Sequence, residues 1–544
     1  MNRVLNSWLV WLCAASAVWA QPATNAVAPQ TIMVPMRDGV KLATDVYEPA
    51  GQPPFPVVLM RTPYNKSNSG GAAQEATKRG YALVIQDTRG RFASEGENLP
   101  FNVDDRDGYD TMGWVSKQGW CNGKIGTYGG SALGITQLQL AGAGPKELAC
   151  QHITVAGPNL FGDVVYPGGV FRKSLVEDWL RASKFSPRAL ELWTGHWFYD
   201  KYWRQRDVSR RYANVNAPAL HIGGYYDIFA QGTIDAFLGF QTKGGPGARG
   251  KQKLLMGPWT HSVLTDRTGD LVFPNAKRPP NNVQDQFRWW ECYLKGVVNG
   301  VADLPAVTFY VMGDVSDPGA PGNVWRTADQ WPPVPTQSTR WFLCGDQTLS
   351  QTRSASDRTL SYIYDPRKPV PTVGGYQLTI PAGPKDQREI EARDDVLVFT
   401  SEPLARPIEV TGRVRTRLYV STDVPDTDFL ARLCDVYPDG RSFNISEGIL
   451  RARFRVSFSH EDFLKRGRIY PIDIDLWPTS IVFNKGHRLR VHVTSSSAPG
   501  YDPNPNTGEP LRWSDRTELA HTSLHLSGGF PSHLDLPVAT SAAP

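Results

Sequence analysis

The sequence predicts an α/β domain with an inserted helical segment, followed by an all-β domain. Continuous apolar runs alternate with helical stretches over the first part of the chain, which is typical of a parallel sheet covered by helices. Aromatic residues at irregular helical spacings interrupt this alternation, and short apolar segments between prolines and glycines make up the remainder. A chain of 544 residues is also too long for one core. We therefore expect the α/β domain at 28–302, its helical insertion at about 160–214, and the β domain at 303–544.

The N-terminal residues 1–20 are typical of a secretory signal peptide. Arg3 precedes the apolar run Trp8–Val18, and the small residues that signal peptidase reads are Val18 and Ala20, so cleavage is expected before Gln21. The run is too short to cross a bilayer, and no later segment reaches that length without charges. We expect a periplasmic or secreted protein with no membrane span. A buried N-terminal helix is the alternative.

Charge and cysteine content exclude several classes of protein. The net charge is +5, but the basic residues are scattered, which argues against a nucleic-acid surface. Beyond the signal peptide, the odd number and wide spacing of the cysteines argue against a disulfide scaffold or a metal site. One bridge is still open, and Cys121 with Cys150 is the nearest pair along the chain. With no metal or phosphate-binding motif, we expect no cofactor and a small-molecule partner.

The α/β domain is predicted to begin with a β-hairpin, because Thr31–Glu48 alternates apolar and polar residues around an Asp-Gly turn. Continuous apolar runs then predict strands buried on both faces, at 56–60, 81–85, 152–155, 219–222 and 254–256. Helices are predicted at 71–79 and 104–118, with the last helix of the domain at 284–298. The insertion, from Phe161 to Asn214, is too polar and irregular for another strand of the sheet.

The β domain is predicted from short apolar segments that recur between turn residues. Examples are Val307–Val311, Arg415–Val420 and Arg488–Val493. Prolines and glycines separate such segments throughout this part of the chain. A two-sheet sandwich or jelly roll fits this pattern best.

A serine between glycines is the first candidate for catalysis. In the segment Gly126–Gly134, Ser131 follows two glycines, which allow the sharp strand-to-helix turn that exposes a nucleophilic hydroxyl. The usual pattern is Gly-x-Ser-x-Gly, whereas here Leu133 stands two residues after the serine and glycine follows at Gly134. Gly-Gly-Ser turns are common, so this segment alone does not establish a nucleophile.

An acid and a histidine follow in the order that a serine hydrolase of the α/β-hydrolase type requires. A serine hydroxyl needs a base to take its proton and a carboxylate to orient that base. Asp227 ends a glycine-rich exit from the predicted strand 219–222, and His261 ends a similar exit from 254–256. Ser131, Asp227 and His261 are therefore the predicted nucleophile, acid and base. The alternative is that the last two are loop residues without a catalytic duty.

Two donors are predicted for the oxyanion that forms during acyl transfer. The backbone amide of Ala132 directly follows the serine. The loop after the predicted strand 56–60 has no His-Gly-Gly-Gly run, so a side chain must supply the second donor, and Tyr64 is the candidate. Its phenol donates a hydrogen bond without ionising near neutral pH. The alternative is an aromatic side chain that only packs on the sheet edge.

Several segments together resemble a known family of serine hydrolases. They resemble the cocaine esterase family, also called the X-Pro dipeptidyl-peptidase class, which includes α-amino acid ester hydrolases and glutaryl cephalosporin acylases. The resemblance spans nearly the whole mature chain. It is carried by residues 61–64, 87–91, 94–96, 123–126, 129–134, 257–261, 426–429, 435–440 and 447–451.

The resemblance implies an α/β-hydrolase domain, a helical cap inserted between nucleophile and acid, and a C-terminal jelly roll. It also implies the roles given above for Ser131, Asp227, His261, Tyr64 and Ala132, and leucine two residues after the serine is normal for this family.

Substrate contacts are predicted for two aromatic residues. Phe229 resembles a position where the family has an acyl-pocket aromatic, and Trp259 lies within the segment that ends in His261.

Two departures from the family bear on the substrate. Members that require a free α-amino group carry carboxylates just after the catalytic acid, whereas Ile228, Phe229 and Ala230 are uncharged here. The dipeptidyl-peptidases have a further N-terminal domain, and here the catalytic domain starts soon after the predicted signal peptide. We expect a hydrolase of carboxylic esters, or of amides.

The sequence leaves two alternatives to the esterase hypothesis open. The first is a dipeptidyl-peptidase or glutaryl-type acylase, in which Asp163 or Glu177 of the cap would hold a free amine. The second, from another class, is an inactive protein whose jelly roll binds carbohydrate.

Overall fold

We describe residues 27–353, 357–510 and 515–540 of a computed structural model of the chain. The predicted signal peptide lies outside these residues. None of the helices within them is long and apolar enough to cross a membrane.

The first part of the chain forms a ten-stranded sheet in the order β1-β2-β4-β3-β5-β6-β7-β8-β11-β12. The strands from β4 to β11 in this order are parallel, and antiparallel strands complete both edges. Strands β9 and β10 form a separate two-stranded ribbon. The strands are β1 Gln30–Pro35, β2 Lys41–Tyr47, β3 Phe55–Thr62, β4 Ala82–Asp87, β5 Cys121–Gly130, β6 Leu148–Thr154, β7 Ala219–Gly224, β8 Lys253–Gly257, β9 Arg267–Thr268, β10 Leu271–Val272, β11 Val307–Val311 and β12 Val324–Ala328.

Helices pack around this sheet, so that its central strands are buried on both faces. Outside the insertion they are α1 Gly70–Lys78, α2 Asp104–Val115, α3 Ala132–Ala143, α7 Ala230–Lys243 and α8 Gln286–Lys295. Helix α8 begins where the Asp285 carboxylate accepts hydrogen bonds from the amides of Phe287 and Arg288. It ends at Gly296, whose φ of 73° closes the last turn. These local caps make the helix shorter than the sequence periodicity predicts.

The predicted insertion between β6 and β7 is helical, as expected. It starts with a π-helical turn at Leu160–Val165 and ends with a 3-10 segment at Val208–Asn214. Between these lie α4 Lys173–Ala182, α5 Pro187–Gly195 and α6 Lys201–Arg206. Its aromatic side chains pack on one another and on the loops above the sheet, and we call this segment the cap.

The remainder of the chain forms a sandwich of two mainly antiparallel sheets, one of seven strands and one of four. A short helix, α9 Arg388–Glu391, lies in the chain between the strands Thr359–Tyr364 and Leu397–Thr400. The strands are β13 Thr336–Leu343, β14 Leu349–Ser350, β15 Thr359–Tyr364, β16 Leu397–Thr400, β17 Ile408–Thr422, β18 Asp428–Val436, β19 Ser442–Arg451, β20 Tyr470–Phe483, β21 Arg488–Thr494, β22 Ala520–His525 and β23 His533–Ala539. The fold class predicted from the sequence is confirmed.

Strands β11 and β12 differ from the sequence-based assignment. The apolar segment Val307–Val311 reads as part of the β domain, yet β11 pairs in parallel with β8 and continues the first sheet. It then meets the sandwich at Met312, whose backbone exchanges hydrogen bonds with β20: its amide with the Ser480 carbonyl at 2.9 Å, and its carbonyl with the Val482 amide at 2.8 Å. The pattern of apolar residues indicates that a segment is a strand, but it does not indicate which sheet the strand joins.

Cys121 and Cys150 do not form the bridge that their sequence proximity left open. No disulfide joins any cysteines of the described residues. Cys121 opens β5, whereas Cys150 pairs with Gly126 further along the same strand. The two thiols are therefore separated along the sheet.

A buried histidine connects the sandwich to the edge of the first sheet. His487 precedes β21, and its Nδ1 lies 2.9 Å from Asp435 Oδ1 of β18. Its Nε2 lies 3.1 Å from Asp314 Oδ2, in the loop that follows β11. Burial works against a charged imidazole, but hydrogen bonds and charges from the two carboxylates outweigh it and raise the pKa of His487. The Tyr437 ring packs against it with a centroid separation of 4.4 Å.

Replacing His487 by glutamine is expected to destabilise the protein most at acidic and neutral pH. Because the folded-state pKa is raised, the contribution of the imidazolium is complete below its ordinary value of 6.5 and is lost as pH rises through the folded value. Removing one member of a buried charged cluster costs about 3 kcal/mol. Thermal unfolding of both proteins across pH measures this, and the difference in midpoint should shrink under alkaline conditions.

His521→Gln is the matched control, because His521 also pairs with a carboxylate, Asp423, but its side chain is 58% exposed. An exposed pair contributes little to stability. A difference for His487→Gln that grows with pH, or that equals the control, would contradict the charged cluster.

Candidate active site

Ser131 occupies the turn between β5 and α3 in a strained backbone conformation. Its φ is 58° and its ψ is −122°, a region that side-chain-bearing residues rarely adopt. Gly129 has a φ of 139°, and a Cβ atom there would lie 2.5 Å from the Leu133 Cβ. The Ser131 amide donates to the Thr154 carbonyl of β6 at 2.9 Å. The turn therefore needs its glycine and holds the hydroxyl at the carboxyl end of a central parallel strand.

The displaced glycine after the serine has a packing reason. A Cβ atom at Gly134 would lie 2.7 Å from the Ala156 Cβ and 3.1 Å from the Thr154 carbonyl oxygen. Glycine at this position lets α3 approach the loop that follows β6.

Asp227 and His261 form a buried hydrogen-bonded pair. Asp227 follows β7 and is fully buried, and its Oδ2 lies 2.7 Å from His261 Nδ1. Its Oδ1 accepts a hydrogen bond from the Phe229 amide at 2.9 Å. Both carboxylate oxygens are thus engaged, which fixes the orientation of the imidazole.

The second nitrogen of His261 is available for proton transfer. Nε2 is buried and has no hydrogen-bond partner among the described residues. The loop that carries His261 starts at Gly257, where a Cβ atom would lie 2.4 Å from the Trp259 ring. The three predicted catalytic residues follow β5, β7 and β8, so they lie at the same edge of the parallel sheet.

Tyr64 lies two residues beyond β3, and its hydroxyl accepts a hydrogen bond from the Trp179 indole at 2.8 Å. Burial raises the pKa of the Tyr64 phenol, and interactions with Trp179, Ser131 and Arg91 offset part of that rise. The phenol is therefore protonated at neutral pH and able to donate. The other predicted donor, the Ala132 amide, is at the first position of α3, where an amide has no acceptor within the helix.

An apolar cavity opens beside Ser131 and Ala132. Ser131 is the only hydrophilic residue among the twelve described residues that line it. Phe229, predicted to contact the substrate, is one of them, and its ring centroid lies 5.8 Å from that of His261. The cap contributes residues such as Leu175, and the β domain contributes Leu378. The cavity therefore has walls from both domains.

Three aromatic rings form one wall of this cavity. Phe101 and Trp179 stack with centroids 5.7 Å apart and planes inclined by 2°. Trp193 continues the stack beyond Trp179, at 6.3 Å and 11°. A planar apolar group is the natural occupant of a space bounded in this way.

Neither cap carboxylate considered as an amine ligand lines the cavity. Asp163 and Glu177 are both absent from its twelve described lining residues. Burial and the neighbouring Asp235 raise the pKa of Asp163 to about 8, so this group is largely neutral at pH 7. One of its oxygens accepts from the Asn159 amide at 2.9 Å. Asp163 is therefore poorly suited to pair with a substrate ammonium.

Trp259 is placed away from the cavity, in contrast to the sequence-based expectation. Its side chain is fully buried, and its indole donates to the Thr265 carbonyl at 3.0 Å. Its ring packs against Trp325 with centroids 5.7 Å apart. Trp259 thus shapes the loop that carries His261, and it has no access to a substrate.

Arg91 and Trp179 are residues whose place in the site the sequence analysis missed. Arg91 donates from Nε to the Pro63 carbonyl at 2.8 Å, and from Nη2 to the Ser183 carbonyl of the cap at 2.6 Å. It thereby ties the residue before Tyr64 to the end of α4. Arg91 lies in 87–91, one of the segments that carry the family resemblance, and this resemblance is the signal by which the sequence could have indicated its importance. Trp179 carried no signal beyond being one of many aromatics of the cap.

Comparisons with known proteins agree with this architecture. The X-Pro dipeptidyl-peptidase (S15 family) model matches residues 38–189 and 176–263, and the X-Pro dipeptidyl-peptidase C-terminal non-catalytic domain matches 299–535. The chain is 34% identical to cocaine esterase of Rhodococcus sp. (strain MB1 Bresler), over 94% of this chain and 99% of that protein.

Two solved structures resemble the whole chain. One is an aminopeptidase from the marine sediment archaeon Thaumarchaeota archaeon, 26% identical with a TM-score of 0.80, which covers 96% of this chain and 99% of its own. The other is an α-amino acid ester hydrolase, 26% identical with a TM-score of 0.78. The match covers 96% of this chain and 98% of the hydrolase chain.

Proposed function

Because the chain belongs to the cocaine esterase and X-Pro dipeptidyl-peptidase (S15) family of serine hydrolases, we propose that it hydrolyses carboxylic esters with an apolar, aromatic acyl group. The observation that carries this proposal is the cavity beside Ser131, whose described lining is otherwise apolar. An acyl group has to lie next to the nucleophile, so the lining selects what that group is.

Ser131 is the proposed nucleophile, and His261 is its base. His261 Nε2 takes the proton as Ser131 Oγ bonds to the ester carbonyl carbon, and Asp227 stabilises the imidazolium through Nδ1. The carbonyl oxygen becomes an oxyanion, which accepts hydrogen bonds from the Tyr64 phenol and the Ala132 amide.

The tetrahedral intermediate collapses when the imidazolium gives its proton to the alkoxide, which leaves as an alcohol. The acyl group is then bonded to Ser131. Water attacks this acyl-enzyme in the same manner, with His261 again as base, and the carboxylic acid is released as the Ser131 hydroxyl is restored.

A free amino group on the substrate is disfavoured by the same lining. An ammonium taken from water into an apolar cavity costs several kcal/mol unless a carboxylate pairs with it. The described lining residues include no carboxylate, and Asp163, next to Val164 in sequence, is largely neutral at pH 7. Cleavage of amino-terminal dipeptides or amino acid esters is the second candidate, which the resemblance to an aminopeptidase structure favours.

Two methyl esters that differ only in an amino group test this choice directly. Methyl phenylacetate should have a higher kcat/KM than methyl phenylglycinate, because its acyl group brings no charge into the cavity. A glycyl-prolyl anilide should be a poor substrate under the same conditions. Preference for the phenylglycine ester or for the anilide would overturn the proposal in favour of the second candidate.

Export from the cytoplasm is also proposed, on the basis of Arg3, the apolar run Trp8–Val18 and the small residues before Gln21. N-terminal sequencing of the protein from the native host is the test. A mature protein that begins at Gln21 is expected, whereas a chain that retains residues 1–20 would contradict export.

A further inference from the structure

We propose that Trp179 is a positioning residue for the oxyanion: its indole N–H holds the Tyr64 phenol so that the phenolic proton points to the reacting carbonyl. This inference rests on the proposed function, because it requires Tyr64 to be an oxyanion donor. Its starting observation is the 2.8 Å hydrogen bond between Trp179 Nε1 and the Tyr64 hydroxyl.

The direction of this hydrogen bond follows from the chemistry of the two groups. An indole N–H donates and never accepts, whereas a phenol has one proton and two acceptor positions. In the Trp179–Tyr64 pair the phenol oxygen must therefore be the acceptor, so its own proton is left for another partner. The Ser131 hydroxyl also interacts with the Tyr64 hydroxyl. That proton is therefore available to an oxyanion formed beside Ser131.

Trp179 is itself held firmly, which a positioning residue requires. Its ring stacks with both Phe101 and Trp193, and it contacts Phe185 with a centroid distance of 4.9 Å. The indole therefore has little freedom to leave the phenol oxygen without disrupting the stack.

The phenol is fixed from its own side of the chain. The Tyr64 amide donates to Thr62 Oγ1 at 3.0 Å, and Arg91 holds the preceding carbonyl of Pro63 at 2.8 Å. With both partners fixed, the donor is oriented before the reaction starts, which avoids a reorganisation cost in the transition state. Donation to the phenol oxygen also polarises the O–H bond and makes it a stronger donor.

One residue thus combines two tasks, because the Trp179 ring also forms part of the cavity wall. An acyl group that packs well against the ring leaves the indole on Tyr64. An acyl group that displaces the ring also turns the Tyr64 phenol away from the oxyanion. Selection among acyl groups is therefore expected to appear in kcat as well as in KM.

Trp179→Phe tests the hydrogen bond while it keeps an aromatic ring in the stack. We expect kcat for an aromatic ester to fall about tenfold, less than the loss of a whole oxyanion donor, with KM changed by less than about threefold. Trp203→Phe is the matched control, since Trp203 is also a buried cap tryptophan with an indole hydrogen bond, to the His196 carbonyl at 2.6 Å, but it does not line the cavity. It should retain kcat within about threefold. An equal loss in both variants would overturn the inference, because the effect would then belong to the packing of the cap aromatics.

A double-mutant cycle with Tyr64→Phe separates this inference from the proposed function. Tyr64→Phe alone should lower kcat by about 100-fold. If Trp179 acts through Tyr64, the double variant should have the kcat of Tyr64→Phe alone. A further tenfold loss in the double variant would overturn the role of Trp179 and leave that of Tyr64 intact. Full activity of Tyr64→Phe would overturn the role of Trp179 and the role of Tyr64 as an oxyanion donor.

Discussion

Replacing Ser131 by alanine is expected to lower kcat/KM for an aromatic ester by about 10⁴-fold or more, because no acyl-enzyme can form without the hydroxyl. The same substitution should abolish covalent labelling by a fluorophosphonate probe. Alanine lacks only the oxygen, and the strained turn is held by backbone contacts such as that of the Ser131 amide with the Thr154 carbonyl. The variant should therefore fold, which circular dichroism and thermal unfolding can verify.

Ser116→Ala is the control for this experiment. Ser116 follows α2, and its hydroxyl donates to the Gly113 carbonyl at 3.1 Å. It should keep both labelling and activity. Labelling of Ser131→Ala equal to that of the wild type, or a labelled peptide that does not contain Ser131, would contradict the assignment of the nucleophile.

Replacing Asp227 by asparagine is expected to reduce kcat by about 10⁴-fold while the fold is retained. The amide oxygen can still accept from the Phe229 amide, as Oδ1 does now at 2.9 Å. The amide nitrogen would then face His261 Nδ1 and donate to it, which moves the ring proton to Nε2. An imidazole protonated there has no lone pair with which to take the Ser131 proton.

Asp235→Asn is the matched substitution, on α7 shortly after Asp227. The Asp235 carboxylate accepts from Gln231 at 2.7 Å and does not line the cavity. Its replacement should change kcat by less than about threefold. Steady-state kinetics at several pH values compares the two variants. An Asp227→Asn enzyme with more than about a tenth of the wild-type kcat would show that this carboxylate does not set the tautomer.

The sequence could indicate the predicted catalytic residues because the necessary information is local. Each of Ser131, Asp227 and His261 follows an apolar strand by a few residues, and parallel strands place such exits at one edge of the sheet. The roles of these side chains are predictions that the substitutions above test. The position of Phe229 could be predicted for the same local reason, since it lies two residues after Asp227, and the structure places it in the cavity lining.

What the sequence could not indicate depends on contacts between distant segments. Trp179 and Tyr64 are 115 residues apart, and no spacing rule relates a cap helix to a loop of the sheet. Trp259 illustrates a related difficulty, because an aromatic next to a catalytic histidine can point either to the substrate or into the core. Three-dimensional packing alone decides between these directions.

Leu378 of the β domain lines the cavity that is otherwise built from the α/β domain and its cap. The second domain therefore contributes to the wall of the candidate active site. Tyr225 and Tyr226, directly before Asp227, belong to the same buried cluster as the inner faces of the sandwich. Excision of the sandwich would expose this cluster to water and open one side of the cavity. A substitution at Leu378 is accordingly expected to alter acyl selectivity without any change to the predicted catalytic residues.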